Sequence, residues 1–445
     1  MLAKLILHKW HWGMLLLLAA GILSLGHALA AQTTPTLLTL QVEGPVTPAM
    51  LDYFERGIET AVAADAAALL IILDTPGGSV NVTLEIVQAF QRAPLPIIVY
   101  VSPVGAQAAS AGSLVTAAAH IAAMAPGTAI GAASPIDISG EDIPKTAFLK
   151  ATEDLKATMR NLVAHRGEEA VALGEAMIDE ARAVTADEAL AAGFIDAVAA
   201  DVPELLTQIN GRTVTVEGQP RTLQLAGAAQ QELEMTPLEA IFHALSNPTL
   251  VGFLLAIAIP AILIELQSPG GWVAGFIGVI CLLLALYGLG QLPVNWLGVV
   301  LIVVAFILLL MEVVATAHGG LALAGIVTLV AGLLVLFNSP SSPEFARISI
   351  ASAIGISLPS AALFLAIATL AWRSRRQRPQ TGSEGLIGMV GRVRQPLTPE
   401  GTILVNGELW RAVAAGEDAG IIEANTPVIV ERREGFTLYV RPQSS

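Results

Sequence analysis

Gly105–Pro135 reads GAQAASAGSLVTAAAHIAAMAPGTAIGAASP, and it sets Ser110 between small residues, where a backbone can approach a peptide chain closely. Upstream lies the turn Asp74-Thr75-Pro76-Gly77-Gly78. Around these two segments, short β-rich apolar runs alternate with longer helical patterns. The strand candidates are Leu37–Val42, Ala68–Leu73, Ile97–Val101 and His120–Met124, with helices at Thr47–Ala63, Val80–Gln91 and Ser110–Ala119. That rhythm predicts parallel β/α units. Further on, Thr185-Ala186-Asp187-Glu188 forms a capping box whose helix ends at Gly193, before a strand at Phe194–Val198.

Composition limits what else the chain can be. It has 445 residues, 54% apolar and only 13% charged, too apolar to lie wholly in water. A net charge of -14 argues against a nucleic-acid partner, which would need clustered Lys and Arg. The single cysteine, Cys281, permits no internal disulfide and lies in an apolar run. Lys4 and Lys9, the apolar run Met14–Leu25 and then Ala28-Leu29-Ala30 have the form of a signal peptide cleaved after Ala30. An uncleaved anchor is the alternative, and either one exports the α/β region downstream.

Five apolar runs come later: Leu250–Leu266, Trp272–Leu289, Val294–Val314, Gly319–Phe337 and Ile348–Trp372. Each is close to the roughly 20 residues that cross a bilayer. Turn residues separate the first four, which predicts helical hairpins. An odd number of spans after an exported domain leaves the C-terminus in the cytoplasm, and the basic run Arg373–Arg378 agrees. Glu265 and Glu312 read as interfacial or helix-packing residues. The tail carries five short strand patterns with turns such as Asn406-Gly407, which predicts an OB-type barrel. It lacks the aromatic and basic groove of a single-strand binder. The expected organisation is a signal peptide (1–30), an α/β domain (31–206), a polar connector (207–247), a transmembrane domain of about five helices (248–373) and the barrel (384–445).

If the α/β domain cuts peptide bonds, Ser110 is the candidate nucleophile at the head of a helix. The N–H groups of Gly77, Gly78 and Ala111 would then form an oxyanion hole. The alternative is that Ser110 only caps that helix. For a base, His120 falls in a buried strand and His165 on a charged helix, which leaves Lys145, Lys150 and Lys156. A lysine serves only if burial suppresses its charge. Lys150 follows Phe148-Leu149 and opens the expected helix Lys150–Ala164, while a solvated lysine remains the ordinary alternative.

Asp74–Gly78, Ala109-Ser110-Ala111-Gly112, Ala123–Thr128, Ile130–Ala133 and Leu190–Asp196, together with Leu292–Trp296 between two spans, resemble the long form of the NfeD family. These are membrane-bound serine proteases whose exported domain is similar to Clp protease. The resemblance implies a Clp/crotonase-like α/β fold and a Ser-Lys dyad, with the lysine past the serine near the start of a helix running into an Arg-x-Leu stretch. Lys150, with Arg160-Asn161-Leu162 after it, matches; Lys145 lies little more than a turn away and stays open. Where Clp-type relatives carry a histidine after the Ile-Gly-Ala element, this chain has Ser134, a hydroxyl helper at most. No metal or cofactor is expected. The resemblance also implies an apolar, membrane-associated polypeptide substrate, a stomatin- or prohibitin-like partner, homo-oligomerisation and residence in a bacterial or archaeal cell membrane.

Two readings compete with a protease. An acyl-CoA hydratase or isomerase would share the layout but needs carboxylates near Ser110 or Gly131, and Gly105–Ser134 has none. A non-catalytic, protease-like scaffold for membrane quality control would keep the fold without the chemistry.

Overall fold

Val, Ile and Leu runs that are buried from end to end cannot face water on either side, so they form the middle of a parallel sheet covered by helices. The computed structural model describes residues 35–135, 144–267, 272–315, 318–339, 342–376, 383–416 and 420–443; the expected signal segment lies outside the described residues. Strands β1 (Thr36–Glu43), β2 (Ala68–Asp74), β3 (Ile97–Val101), β4 (Gln107–Ala109), β5 (Ile121–Met124), β6 (Ala129–Gly131), β7 (Ala183–Thr185) and β8 (Ala197–Val198) are followed by β9 (Thr213–Val216), β10 (Gln219–Thr222) and β11 (Ala229–Glu232). The main sheet runs β11-β1-β2-β3-β5-β8, parallel at every step. A separate small sheet, β4-β6-β7, carries the loops of the candidate site.

Helices α1 (Pro48–Ala63) and α2 (Val80–Arg92) cover one face, where Phe54 and Phe90 pack with ring centroids 5.7 Å apart. Helices α3 (Ala111–Ala117), α4 (Lys145–Val163), α5 (Glu168–Asp179) and α6 (Ala186–Ala191) bury Leu114, Met159, Met177 and Phe194 in a second cluster. The capping box opens α6 as expected, with Thr185 and Glu188 bonded reciprocally. After α6, Asp196 accepts from the Ala122 amide at 2.8 Å and pairs with the buried Arg166 at 2.6 Å. It thereby ties β5 to the α4–α5 corner.

Residues 207–247, expected to be a connector, fold onto the domain after α7 (Val202–Ile209). Strand β11, of sequence AQQE, extends the sheet by pairing with β1 from Thr36–Ala229 to Thr39–Glu232. Polar and exposed, it carries no hydrophobic pattern, and backbone bonding alone places it. Helix α8 (Pro237–Ala244) lies against α1, where Arg56 grips Glu239 bidentately at 2.7 and 2.8 Å and the Tyr53 hydroxyl donates to the Leu233 carbonyl.

The apolar helices are α9 (Pro248–Gln267), α10 (Val273–Leu289), α11 (Trp296–Ala315), α12 (Gly320–Phe337) and α13 (Ile350–Arg376). Four of the described helices are long and apolar enough to cross a membrane, and α10, with 17 residues, falls just short. Glycines set the close approaches: a Cβ at Gly278 would lie 3.1 Å from the Ala258 carbonyl, and one at Gly332 would lie 3.0 Å from the Ile302 amide. Both intrahelical carboxylates bridge a hairpin. Glu265 accepts from the Trp272 and Gly275 amides at 3.1 and 3.3 Å, and Glu312 from the Gly319 and Leu321 amides at 2.8 and 3.0 Å. Each supplies an acceptor to the unsatisfied N–H groups that open the next helix.

The tail is a closed barrel of β12 (Val390–Gln395), β13 (Glu400–Val405), β14 (Glu408–Ala414), β15 (Pro427–Glu434) and β16 (Thr437–Pro442). Its order is β12-β13-β14-β16-β15, with only β14 and β16 parallel, the arrangement of an OB-type fold. Asn406 and Gly407 turn the β13–β14 hairpin with φ of 51° and 83°, as an Asn-Gly turn requires.

The Asp196–Arg166 pair generates a prediction. Asp196→Ala leaves a buried guanidinium without its counter-charge and should destabilise the α/β domain by about 3 kcal/mol. The check is the denaturant midpoint of that domain's unfolding, which should fall well below that of the unaltered chain.

Candidate functional site

Three loops converge beyond the ends of β2, β4 and β6. The β2 turn is stitched to β4: Asp74 accepts from the Gln107 amide at 2.9 Å, Thr75 N–H donates to the Gln107 carbonyl at 2.7 Å, and Ala109 N–H donates to the Thr75 carbonyl at 3.0 Å. Strand β4 then delivers Ser110, whose amide donates to the Gly131 carbonyl at 2.7 Å, so the β6 loop fixes it from the other side.

Ser110 stands at the N-cap of α3 with φ 50° and ψ -114°. Such a conformation costs a side-chain-bearing residue about 1–3 kcal/mol and persists only where its surroundings enforce it. The half-buried hydroxyl does not cap α3 and bonds to no described residue. Capping, the alternative reading from sequence, is not what this hydroxyl does. Its neighbours are committed elsewhere: Ser113 donates to the Ala108 and Gly131 carbonyls, each at 3.1 Å, and Ser134 to the Ile178 carbonyl at 2.6 Å. Ser134 therefore stands with its proton directed at α5.

Gly77, at φ 112°, lies directly against the serine; a Cβ there would sit 2.7 Å from Ser110 Cβ and 3.2 Å from Ser110 Oγ. Val46 holds the next residue, its N–H donating to the Gly77 carbonyl at 2.7 Å while its carbonyl accepts from Ser79 N–H at 3.1 Å. A Cβ at Gly78 would overlap the Val46 backbone. Of the three amides expected to face an oxyanion, Gly77 N–H is engaged by Thr75 Oγ1 at 3.2 Å. The N–H groups of Gly78 and Ala111 donate to no described residue. Val46, which sets this geometry together with Thr75, escapes a sequence search. The Asp-Thr-Pro-Gly-Gly turn points at Thr75, but nothing in the local pattern marks Val46.

Helix α4 begins at Lys145, capped by Pro144, and not at Lys150 as the sequence suggested. Proline's fixed φ and missing N–H suit a helix start. Lys150 therefore sits in the second turn, and the helix-terminal position belongs to Lys145. The buried stripe of α4 is Thr152, Leu155, Met159, Leu162 and Val163. At about 100° per residue, Lys150 projects from the opposite side of this stripe, whereas Lys145, seven residues before Thr152, shares its side. Both lysines are exposed, and no hydrogen bond joins either to Ser110. Lys156 is bound to Asp179 at 2.5 Å, and this bond holds its ammonium charged above the usual range.

The histidines stay out of the site. His120 Nδ1 accepts from the Ile97 amide at 3.1 Å, and burial, with His165 nearby, pushes its pKa down to about 4. Burial also lowers the pKa of His165, followed by the Arg166 charge. Among the described residues no group of three or more His, Cys, Asp or Glu is placed to hold a metal ion.

Residues 36–218 match the NfeD1b N-terminal domain, 249–370 the NfeD integral membrane domain, and 383–442 the NfeD-like C-terminal, partner-binding domain. Over 408 residues the chain is 34% identical to a membrane-bound protease of Pyrococcus horikoshii, covering 90% of this chain and 92% of that protein. It is 26% identical over 434 residues to the membrane protein NfeD1b of Bacillus subtilis, covering 91% and 92% respectively. A solved structure of a membrane-bound stomatin-specific protease, a lysine-to-alanine mutant in complex with a substrate peptide, is 33% identical. It covers 47% of this chain and 96% of its own, with a TM-score of 0.44. The chain is a multi-pass membrane protein.

The site geometry yields two predictions. Gly77→Ala adds a methyl group where Ser110 Cβ and Oγ already lie and strains a φ of 112°; the turn must shift, and labelling of Ser110 by a serine-directed reagent should fall by about tenfold or more. For His120, the folded pKa lies below the unfolded one, so its neutral form favours folding above about pH 6.5. That contribution is lost as pH falls toward 4. His120→Gln should remove on the order of 2 kcal/mol of acid destabilisation across this window, read from unfolding midpoints at pH 7 and pH 4.5.

Proposed function

The chain belongs to the NfeD family, and on that footing we propose that it is a membrane-bound serine endopeptidase that cuts apolar segments of membrane-associated proteins through a Ser-Lys dyad. The observation that carries this reading is the Ser110 hydroxyl, half-buried and uncommitted on a strained backbone against Gly77. The full-length relative named as a membrane-bound protease supports it.

Ser110 Oγ attacks the scissile carbonyl, and the developing oxyanion is received by the free amides of Gly78 and Ala111. The Gly77 amide joins them only on leaving Thr75 Oγ1. Lys150 takes the Ser110 proton and returns it to the leaving amine; water then attacks the acyl-enzyme by the same route in reverse. A lysine does this only when removed from water. Support for such a change lies in α4, whose first buried residue is Thr152: its opening turns are not anchored in the core and can close over a bound chain. A second copy of the protein would shield them in the same way, in keeping with a homo-oligomer.

The α/β domain faces the outside of the cell membrane and the barrel the cytoplasm, as the expected signal segment and the basic end of α13 suggest. The barrel, matched by the partner-binding domain, contacts a stomatin- or prohibitin-like protein. On this reading the activity serves membrane protein quality control. The exposure of Lys145 and Lys150 favours a second reading, a non-catalytic scaffold with the same partner.

Cleavage of an apolar peptide by the full chain in detergent micelles separates the two. Ser110→Ala and Lys150→Ala should each lower kcat/KM by about a thousandfold or more, and Lys145→Ala by less than about threefold. Full activity in Ser110→Ala removes the nucleophile, loss only in Lys145→Ala transfers the base, and no cleavage by the unaltered chain leaves the scaffold.

A further inference from the structure

A cavity of about 430 Å³ lies between the catalytic turn and the start of the membrane helices. One wall is Pro76 and Gln107, residues immediately upstream of Gly77 and of the Ala108-Ala109-Ser110 segment respectively. The opposite wall is Asn247, the last residue before α9, and Phe345, in the short 3-10 turn before α13. His243, also in the lining, ties α8 to the end of β1: Nε2 meets the Glu43 carbonyl at 2.8 Å, Nδ1 meets Thr47 Oγ1 at 3.2 Å, and Gly44 leaves room for its ring. Glu43 and Asp74 also line the cavity, and none of the described residues lining it is Lys or Arg.

We propose that this cavity is a substrate subsite: it receives the stretch of polypeptide between the scissile bond and the bilayer surface, and it favours a basic residue there. The inference rests on the endopeptidase reading for its occupant. The occupant follows from continuity, because a chain extended across Ser110 and Gly77 meets Gln107 and Pro76 next, and beyond them the first residues of the apolar helices. Its charge preference follows from the lining, where two acidic residues, Glu43 and Asp74, stand with no described Lys or Arg among their neighbours in the cavity wall, so a Lys or Arg side chain gains their attraction and a Glu or Asp meets repulsion. Pro45, Pro76 and Phe345 supply apolar surface for the stem of such a side chain.

The test uses the full chain in proteoliposomes with two membrane-tethered peptides, identical except for Lys or Glu in the segment between tether and cleavage site. The unaltered protein should cut the Lys peptide about fivefold faster in kcat/KM. Glu43→Lys should abolish or reverse that preference, read as the ratio of kcat/KM for the two tethered peptides, so that a general loss of activity in the variant cancels. Equal cleavage of both tethered peptides before and after the substitution overturns the proposal. A readout independent of turnover accompanies it: in the Ser110→Ala protein, a photoreactive benzophenone in place of Phe345 should cross-link to the tethered Lys peptide. Absence of that adduct, in a protein that still cross-links from a benzophenone in place of Gln107, also overturns the proposal. If the unaltered chain cuts neither peptide yet the position-345 adduct forms, the catalytic reading fails and the subsite stands.

Discussion

No side chain occupies the space between the β2 turn and the serine, and the site depends on that emptiness. At Gly77 a single carbon would collide with Ser110, so the turn can lie on the hydroxyl only because position 77 has no Cβ. Other small residues extend the same device. Gly112 rests on Thr75, and Gly131 lies against the Arg182 carbonyl. The Gly131 carbonyl in turn holds both the Ser110 amide and the Ser113 hydroxyl. The strained serine backbone is stable because three loops fix it, each by backbone hydrogen bonds that a bulkier residue would break.

That economy explains which features are legible in the chain itself. Small residues in an unbroken run are a strong local signal, and Gly77, Gly78 and Ser110 stand out for that reason. Buried strands such as Ile97–Val101 and the alternating strands of the barrel announce themselves by hydrophobic period. Strand β11 does not, since AQQE has no period and is placed only by backbone pairing with a distant strand. The start of α4 is misplaced from sequence because its N-cap position holds Pro144, with no Ser, Thr, Asp or Asn side chain to mark it. The Gly78 amide is named from the turn, but what leaves it open is not legible locally, since Val46, 32 residues earlier by sequence number, takes the bonds on either side of it.

The membrane helices show a related division. Their existence follows from composition, but the role of Glu265 and Glu312 does not. Each carboxylate lies near the end of one helix and bonds to the first amides of the next. An apolar surrounding makes unsatisfied amides expensive, so a carboxylate that meets two of them stabilises the reversal of the chain. The same hairpin device therefore occurs twice. On the other side of α9, the Arg56–Glu239 grip and the His243 contacts fasten α8 to the α/β domain. The polypeptide thus enters its first apolar helix from a fixed point beside the end of the sheet.

On the proposed mechanism, this leaves one unmet requirement in the single chain. A lysine must lose its hydration shell before it can accept a proton from serine near neutral pH, and Lys150 lies on the water-facing side of α4. Among the described residues nothing covers it, because the buried stripe of α4 begins only at Thr152. On the proposed mechanism the cover comes from what binds over the helix opening, either the substrate or another copy of the chain. In either case the nucleophile and oxyanion donors are built in advance, and the base is completed by binding. A protease arranged in this way is inactive toward water-filled space and active only when a polypeptide, or an assembled neighbour, has displaced that water. With the α/β domain outside the cell membrane, as proposed, such dependence would restrict cutting to chains that lie down along the site.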